Sequence, residues 1–131
     1  MIDTIKYKEW LDMAKRDIKA AKILYEYEGD KGIICFHCQQ AVEKYLKGYL
    51  IYKTGMLHEG HSLTKLCKKA SQFDDRFKSL IKDCAFLNQF YIETRYPAED
   101  PLIVEEEDVE ESMQIAERII KLIDSIIEEK S

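Results

Sequence analysis

The C-terminal part of the chain carries an apolar repeat that confines it to a helix. Val109, Met113, Ala116, Ile120, Ile123 and Ile127 alternate spacings of four and three over about five turns, the period of one face of an amphipathic helix. The residues leading into it are acidic (Glu105, Glu106, Glu107, Asp108, Glu110, Glu111), the sign that the positive end of a helix dipole favours.

Similar spacing recurs upstream. Tyr7, Leu11, Ala14, Ile18, Ala21 and Tyr25 place a first helix over about Thr4 to Glu28, with Gly29 as its left-handed stop and Asp30 as the next cap. From about Lys31 to Lys53, Ile34, Cys38, Ala41, Tyr45 and Tyr49 form one stripe beside Val42, Leu46 and Leu50. A face this wide predicts a central helix with several neighbours, ended by Gly55. Ser62 caps a short helix that turns Leu63, Leu66, Cys67 and Ala70 inward. Asp74 or Asp75 caps a fourth long helix through Phe77, Leu80, Ile81, Cys84, Leu87 and Tyr91, which stops near Arg95-Tyr96-Pro97 because the residue before proline avoids helical geometry. With only 5 Gly and 2 Pro to serve turns, the expectation is all-α: an antiparallel up-down bundle of four long helices plus one short helix.

Length and charge narrow the classes further. The 131 residues suit one domain spanning 1–131, with no repeat or linker. No apolar run approaches the ~20 residues of a membrane span, and Met1-Ile2-Asp3-Thr4-Ile5-Lys6 has no signal-peptide core, so a cytoplasmic protein with no membrane partner is expected. Residues 1–98 carry a balance of +4 and residues 99–131 a balance of −9, so bulk charge does not mark a nucleic-acid binder and any anion site must be local.

Four segments invite a chemical reading. Cys35-Phe36-His37-Cys38 contains a CxxC, but it lies mid-helix without a second pair. The four cysteines (Cys35, Cys38, Cys67, Cys84) read as reduced, buried thiols. His58, Glu59 and His61 share a polar loop, yet no further ligand can be named, so neither a metal nor a cofactor is expected. Gln40, Glu43, Lys44 and Lys47 share one face of the second helix, beside Gln39. This is either a solvated stripe with a Glu43–Lys47 pair or a polar seam at a ligand or dimer surface. In Asn88 to Pro97, Arg95 beside Tyr96 has the guanidinium and ring to hold a phosphate and stack a base, or else caps and packs a helix exit.

Taken in order, Trp10 to Ile18, Gln39 to Lys47, His61-Ser62-Leu63 with Leu66, Tyr91 with Arg95-Tyr96-Pro97, and the last helix around Ala116 resemble the HEPN domain family. The resemblance implies a helical bundle that forms a homodimer and pairs with a minimal nucleotidyltransferase, often in a toxin–antitoxin system. Glu43, Lys47, His61, Arg95 and Tyr96 would then form a ligand surface for a nucleotide or RNA. Some members of the family cleave RNA without metal, through an Arg followed after four to six residues by a His. Here Arg95 is followed by Tyr96, Pro97, Ala98, Glu99, Asp100, Pro101 and Leu102, with no imidazole to transfer a proton. The expectation is therefore a binding module rather than an enzyme. The alternative is a ribonuclease toxin with Arg95 and His61 as a displaced catalytic pair.

Overall fold

Five α-helices and one 3-10 helix organise the described residues, 5–91 and 103–129, of this computed structural model, and no strand occurs among them. The helices are α1 (Ile5–Glu26), α2 (Lys31–Thr54), α3 (Leu63–Ser71), α4 (Ile81–Asn88) and α5 (Glu106–Glu129), with the 3-10 helix (Asp75–Leu80) leading into α4. The all-α class expected from the spacing is the class observed.

Two of the expected punctuation marks act as anticipated. Asp30 Oδ1 accepts the Ile33 N–H at 2.9 Å and starts α2. Gly55 adopts φ 74° and donates its N–H to the Ile51 carbonyl, ending α2. The turn between α1 and α2 differs from expectation: Glu28, not Gly29, takes the left-handed conformation (φ 56°). Gly29 is needed for space, because a Cβ there would stand 2.8 Å from Leu24 Cδ2.

The fourth segment also departs from the expected long helix. It begins at Asp74, whose Oδ1 accepts the Arg76 N–H, but runs as a 3-10 helix before becoming α-helical for eight residues. A three-residue turn sets Phe77 and Leu80 on one side, and both are buried. The expected stop at Arg95-Tyr96-Pro97 lies outside the described residues.

The core forms around α2, which packs against α1, α3, α4 and α5. Ile34, Cys38, Ala41, Val42, Tyr45, Leu46, Tyr49 and Leu50 are all buried, as their double stripe predicts. Burying such side chains fully contributes roughly 1.5–3 kcal/mol for each large aliphatic one. The face of α5 is turned relative to expectation. Val109, Ser112, Ile115, Ala116, Ile119, Ile123 and Ile126 are buried, while Met113, Ile120 and Ile127 pack at its edge. Along α1, Leu11, Ala14 and Ala21 are inward, but Tyr25 is 40% exposed and Leu24 packs instead. Gly48 sets the closest approach of α1 to α2: an added Cβ would meet Leu11 Cδ2 at 2.8 Å and the Tyr7 carbonyl at 3.1 Å.

All four cysteines are buried thiols outside any disulfide. Burial, and the neighbouring Cys35, push the Cys38 thiol up to about 12, so it stays protonated as a small apolar filler. Tyr45 donates to Asp124 Oδ1 at 2.7 Å and ties α2 to α5. Its burial and this bond raise its phenol well above the ordinary range.

Candidate functional site

Residues four apart on a helix stack on one face, and α2 uses this to build a polar ladder of Gln39, Glu43 and Lys47. All three are buried, with Glu43 at 4% and Lys47 at 5% exposure. The Glu43 carboxylate is satisfied on both oxygens. Gln39 Nε2 donates to Oε1 at 3.2 Å and Lys47 Nζ donates to Oε2 at 3.1 Å. Gln40 Nε2 extends the chain by donating to Gln39 Oε1 at 2.8 Å. A lone carboxylate at this depth is strongly unfavourable, and the surrounding donors are what keep it there. The Glu43–Lys47 pair foreseen from spacing is present, but buried rather than on a solvated surface.

The third donor comes from another part of the chain. His61 Nδ1 lies 3.1 Å from Glu43 Oε2 and 3.2 Å from Oε1. Because a carboxylate only accepts, Nδ1 carries the hydrogen and Nε2 is left for another partner. The His61 side chain is 50% exposed, so the imidazole is within reach of solvent. Its other neighbour is Tyr91, stacked at 4.4 Å between ring centroids with 20° between planes. Lys47 Nζ also sits 5.7 Å from the Trp10 ring centroid, a cation–π distance.

The loop holding His61 is anchored behind it. Ser62 Oγ accepts the Lys65 N–H and caps α3. Asn88 Oδ1 accepts the Leu63 N–H at 2.7 Å, while Asn88 Nδ2 donates to Thr64 Oγ1 at 3.1 Å. One amide thus joins α4 to the first turn of α3, next to the imidazole.

Of the ligand residues expected from sequence, Glu43, Lys47 and His61 converge, while Arg95 and Tyr96 lie outside the described residues. Lys44 leaves the group. Its Nζ pairs with Asp17 Oδ2 at 2.5 Å, and Asp17 Oδ1 also meets His37 Nδ1 at 3.0 Å, giving a second, partly buried polar cluster between α1 and α2. Sequence reasoning did not single out this cluster; the available signal was a carboxylate at Asp17 beside the inward line of α1. His58 turns its Nδ1 to the Met56 carbonyl at 3.2 Å. Among the described residues no group of three or more His, Cys, Asp or Glu is placed for a metal, and no helix is long and apolar enough to cross a membrane.

Known proteins resemble this chain along most of its length. A model of the HEPN domain matches residues 7–126. The proposed toxin MJ1304 of Methanocaldococcus jannaschii is 27% identical over 143 residues, covering 96% of this chain and 91% of that protein. The crystal structure of TT1696 from Thermus thermophilus superposes with a TM-score of 0.81 at 26% identity, covering 92% of this chain and 97% of that one. ST0689, an archaeal HEPN homologue, superposes with a TM-score of 0.73 at 26% identity over the same shares.

Proposed function

Because the chain belongs to the HEPN domain family, we propose that it is a binding module of a toxin–antitoxin-like system, in which a nucleotide is held at the His61 end of the bundle. The observation that carries this reading is the Glu43 carboxylate, buried on the core helix and used to aim a half-exposed imidazole. A group so fixed presents Nε2 without first losing side-chain freedom, which favours binding. Tyr91 beside it offers a ring at the same place. Arg95 and Tyr96 complete the surface in this reading, with the guanidinium on phosphate and the ring on the base. The partners are a second copy of the chain and a minimal nucleotidyltransferase, and the setting is cytoplasmic. A toxin role fits the relative from Methanocaldococcus jannaschii.

Calorimetric titration of the purified protein with ATP tests the reading. Wild type binds, and a His61→Ala/Arg95→Ala variant binds at least about ten-fold more weakly, the loss expected from removing charge-assisted contacts. Equal affinity of both proteins for ATP and for the nucleotidyltransferase overturns it.

One observation favours a second reading. A histidine oriented through Nδ1 by a carboxylate is the arrangement that general acid–base chemistry uses. In this reading His61 takes the proton of an RNA 2′-hydroxyl as its oxygen bonds to phosphorus, and the P–O5′ bond breaks with a proton going to the leaving 5′-oxygen. Arg95 stabilises the negative charge on the non-bridging oxygens. Cleavage of single-stranded RNA that persists in chelator and vanishes in His61→Ala supports it. Intact RNA between about pH 6 and 8, where an imidazole changes charge, removes it.

A further inference from the structure

We propose that the hollow between the 58–61 loop and α3 is a phosphoryl subsite, built by His58, His61, Lys65 and Lys69, that takes the terminal phosphates of a nucleoside polyphosphate. The identity of the nucleotide rests on the function proposed above, but the phosphoryl chemistry of the hollow does not.

The hollow has a volume of about 210 Å³, with Ser62 on its wall and Glu59 as its one carboxylate. A water takes roughly 30 Å³ of liquid volume, so the space admits a phosphate with part of its hydration shell. Lys65 and Lys69 against Glu59 give the lining a local sign opposite to that of the whole chain, which is −5 with histidine counted as neutral, and Glu43 behind His61 is matched by Lys47. His58 Nδ1 is committed to the Met56 carbonyl and His61 Nδ1 to Glu43, so on each neutral ring Nε2 is left as an acceptor, able to meet a phosphate through a P–OH hydrogen.

Lys65 is placed against local helix rules, whereas Lys69, beside Lys68, stands in the last turn, where the dipole favours a cation. Lys65 and Lys69 are four apart on α3, where like charges repel, and Lys65 stands in the first turn, where the dipole disfavours a cation. Neither has an ion-pair partner among the described residues, whereas Lys78 and Lys121 each face a carboxylate on their own helix. An anion in the hollow would relieve both conflicts. The end of α3 is not itself the binding group, since the Leu63 and Lys65 amides are already taken by Asn88 and Ser62. Side chains would therefore make the contacts, and a phosphate suits them better than a single carboxylate does, since its several oxygens can accept from both ammonium groups while a P–OH hydrogen is donated to an imidazole Nε2.

The test is calorimetric titration of the full chain with pyrophosphate and with ATP, comparing wild type, Lys65→Gln/Lys69→Gln and a Lys78→Gln control. All three changes are on exposed residues, so each variant should fold. The expected result is binding of both probes that weakens about ten-fold in the double variant and is unchanged in the control. If ATP binds wild type and double variant equally, the subsite is wrong while the nucleotide reading stands. If pyrophosphate binds in a lysine-dependent way and ATP binds no more tightly than pyrophosphate, the subsite stands and the nucleotide reading falls. Failure of both probes to bind overturns the subsite.

Discussion

His61 and Glu43 stand 3.1 Å apart, Nδ1 to Oε2, across 18 positions of sequence. One is half exposed and the other nearly buried, so the pair connects the solvent-facing loop to the core helix.

The buried end of this network is where substitutions act most strongly. Lys47→Met leaves Glu43 with one charged partner fewer, and Glu43→Gln leaves Lys47 without its countercharge. Each single change should cost about 3–5 kcal/mol in urea unfolding, as breaking one side of a buried ion pair does. The double variant should lose clearly less than the sum. Small, additive losses would mean that water shields the pair.

Asn88 offers a separate lever on the same loop. Asn88→Ala orphans the Leu63 N–H and should lower stability by about 1–3 kcal/mol in thermal unfolding. Asn88→Asp keeps the acceptor for Leu63 and gives up only the donor to Thr64, so its loss should be smaller. Equal losses for the two would show that the bond to Leu63 is not the important one.

Gly48→Ala should destabilise the protein, although alanine is worth about 1 kcal/mol over glycine in a free helix. The added methyl would meet Leu11 Cδ2 and the immovable Tyr7 carbonyl, and overpacking of this kind costs about 1–3 kcal/mol. In a Leu11→Ala background the penalty should shrink. A stabilised Gly48→Ala protein would mean that α1 is free to move away from α2.

Asp74 provides a pH dependence with a defined sign. Hydrogen bonds from Arg76 hold its carboxyl below the ordinary range in the folded state. Its stabilisation is thus fully present above the unfolded value, about 4, and is lost as pH falls through the lower folded value. Arg76→Gln should lower stability near neutral pH and make the acid limb shallower, so that the variant loses less stability than wild type between about pH 5 and 2 in urea unfolding followed by circular dichroism. An unchanged acid limb counts against the assignment.

Cys38 predicts the opposite limb. Its folded thiol is raised to about 12 by burial, so it should react with iodoacetamide at pH 8 far more slowly than in the unfolded chain. Its stabilisation is present below the unfolded thiol value, about 8.5, and fades as pH climbs toward 12. Rapid labelling of Cys38 in the folded protein would contradict this.

Short-range patterns were legible where one face decides the outcome. Both stripes of α2, the Asp30 and Ser62 caps and the Gly55 stop depend on neighbours within about one turn, and each is where spacing put it. The face of α5 was harder to centre, because Met113, Ile120 and Ile127 are as apolar as the buried line beside them, which includes Ser112. The broken fourth segment and the left-handed Glu28 reflect tertiary fit of Phe77, Leu80 and Leu24, which no local rule encodes. The same limit applies to the polar groups. Glu43 and Lys47 announce themselves by spacing, whereas Asp17, His37 and Lys44 come from two helices and carry no common period.

Glu43 lies on α2 between Val42 and Tyr45, both fully buried, and this narrows the ways in which the chain can change length. One residue inserted between positions 39 and 43 would rotate everything beyond it by about 100°, bringing carboxylate and ammonium toward the apolar side and tyrosines toward solvent. The turn at 56–60 bears no such rotational constraint. Natural length variants of this protein should therefore gather in that turn, and α2 should keep its register even where its residues are exchanged.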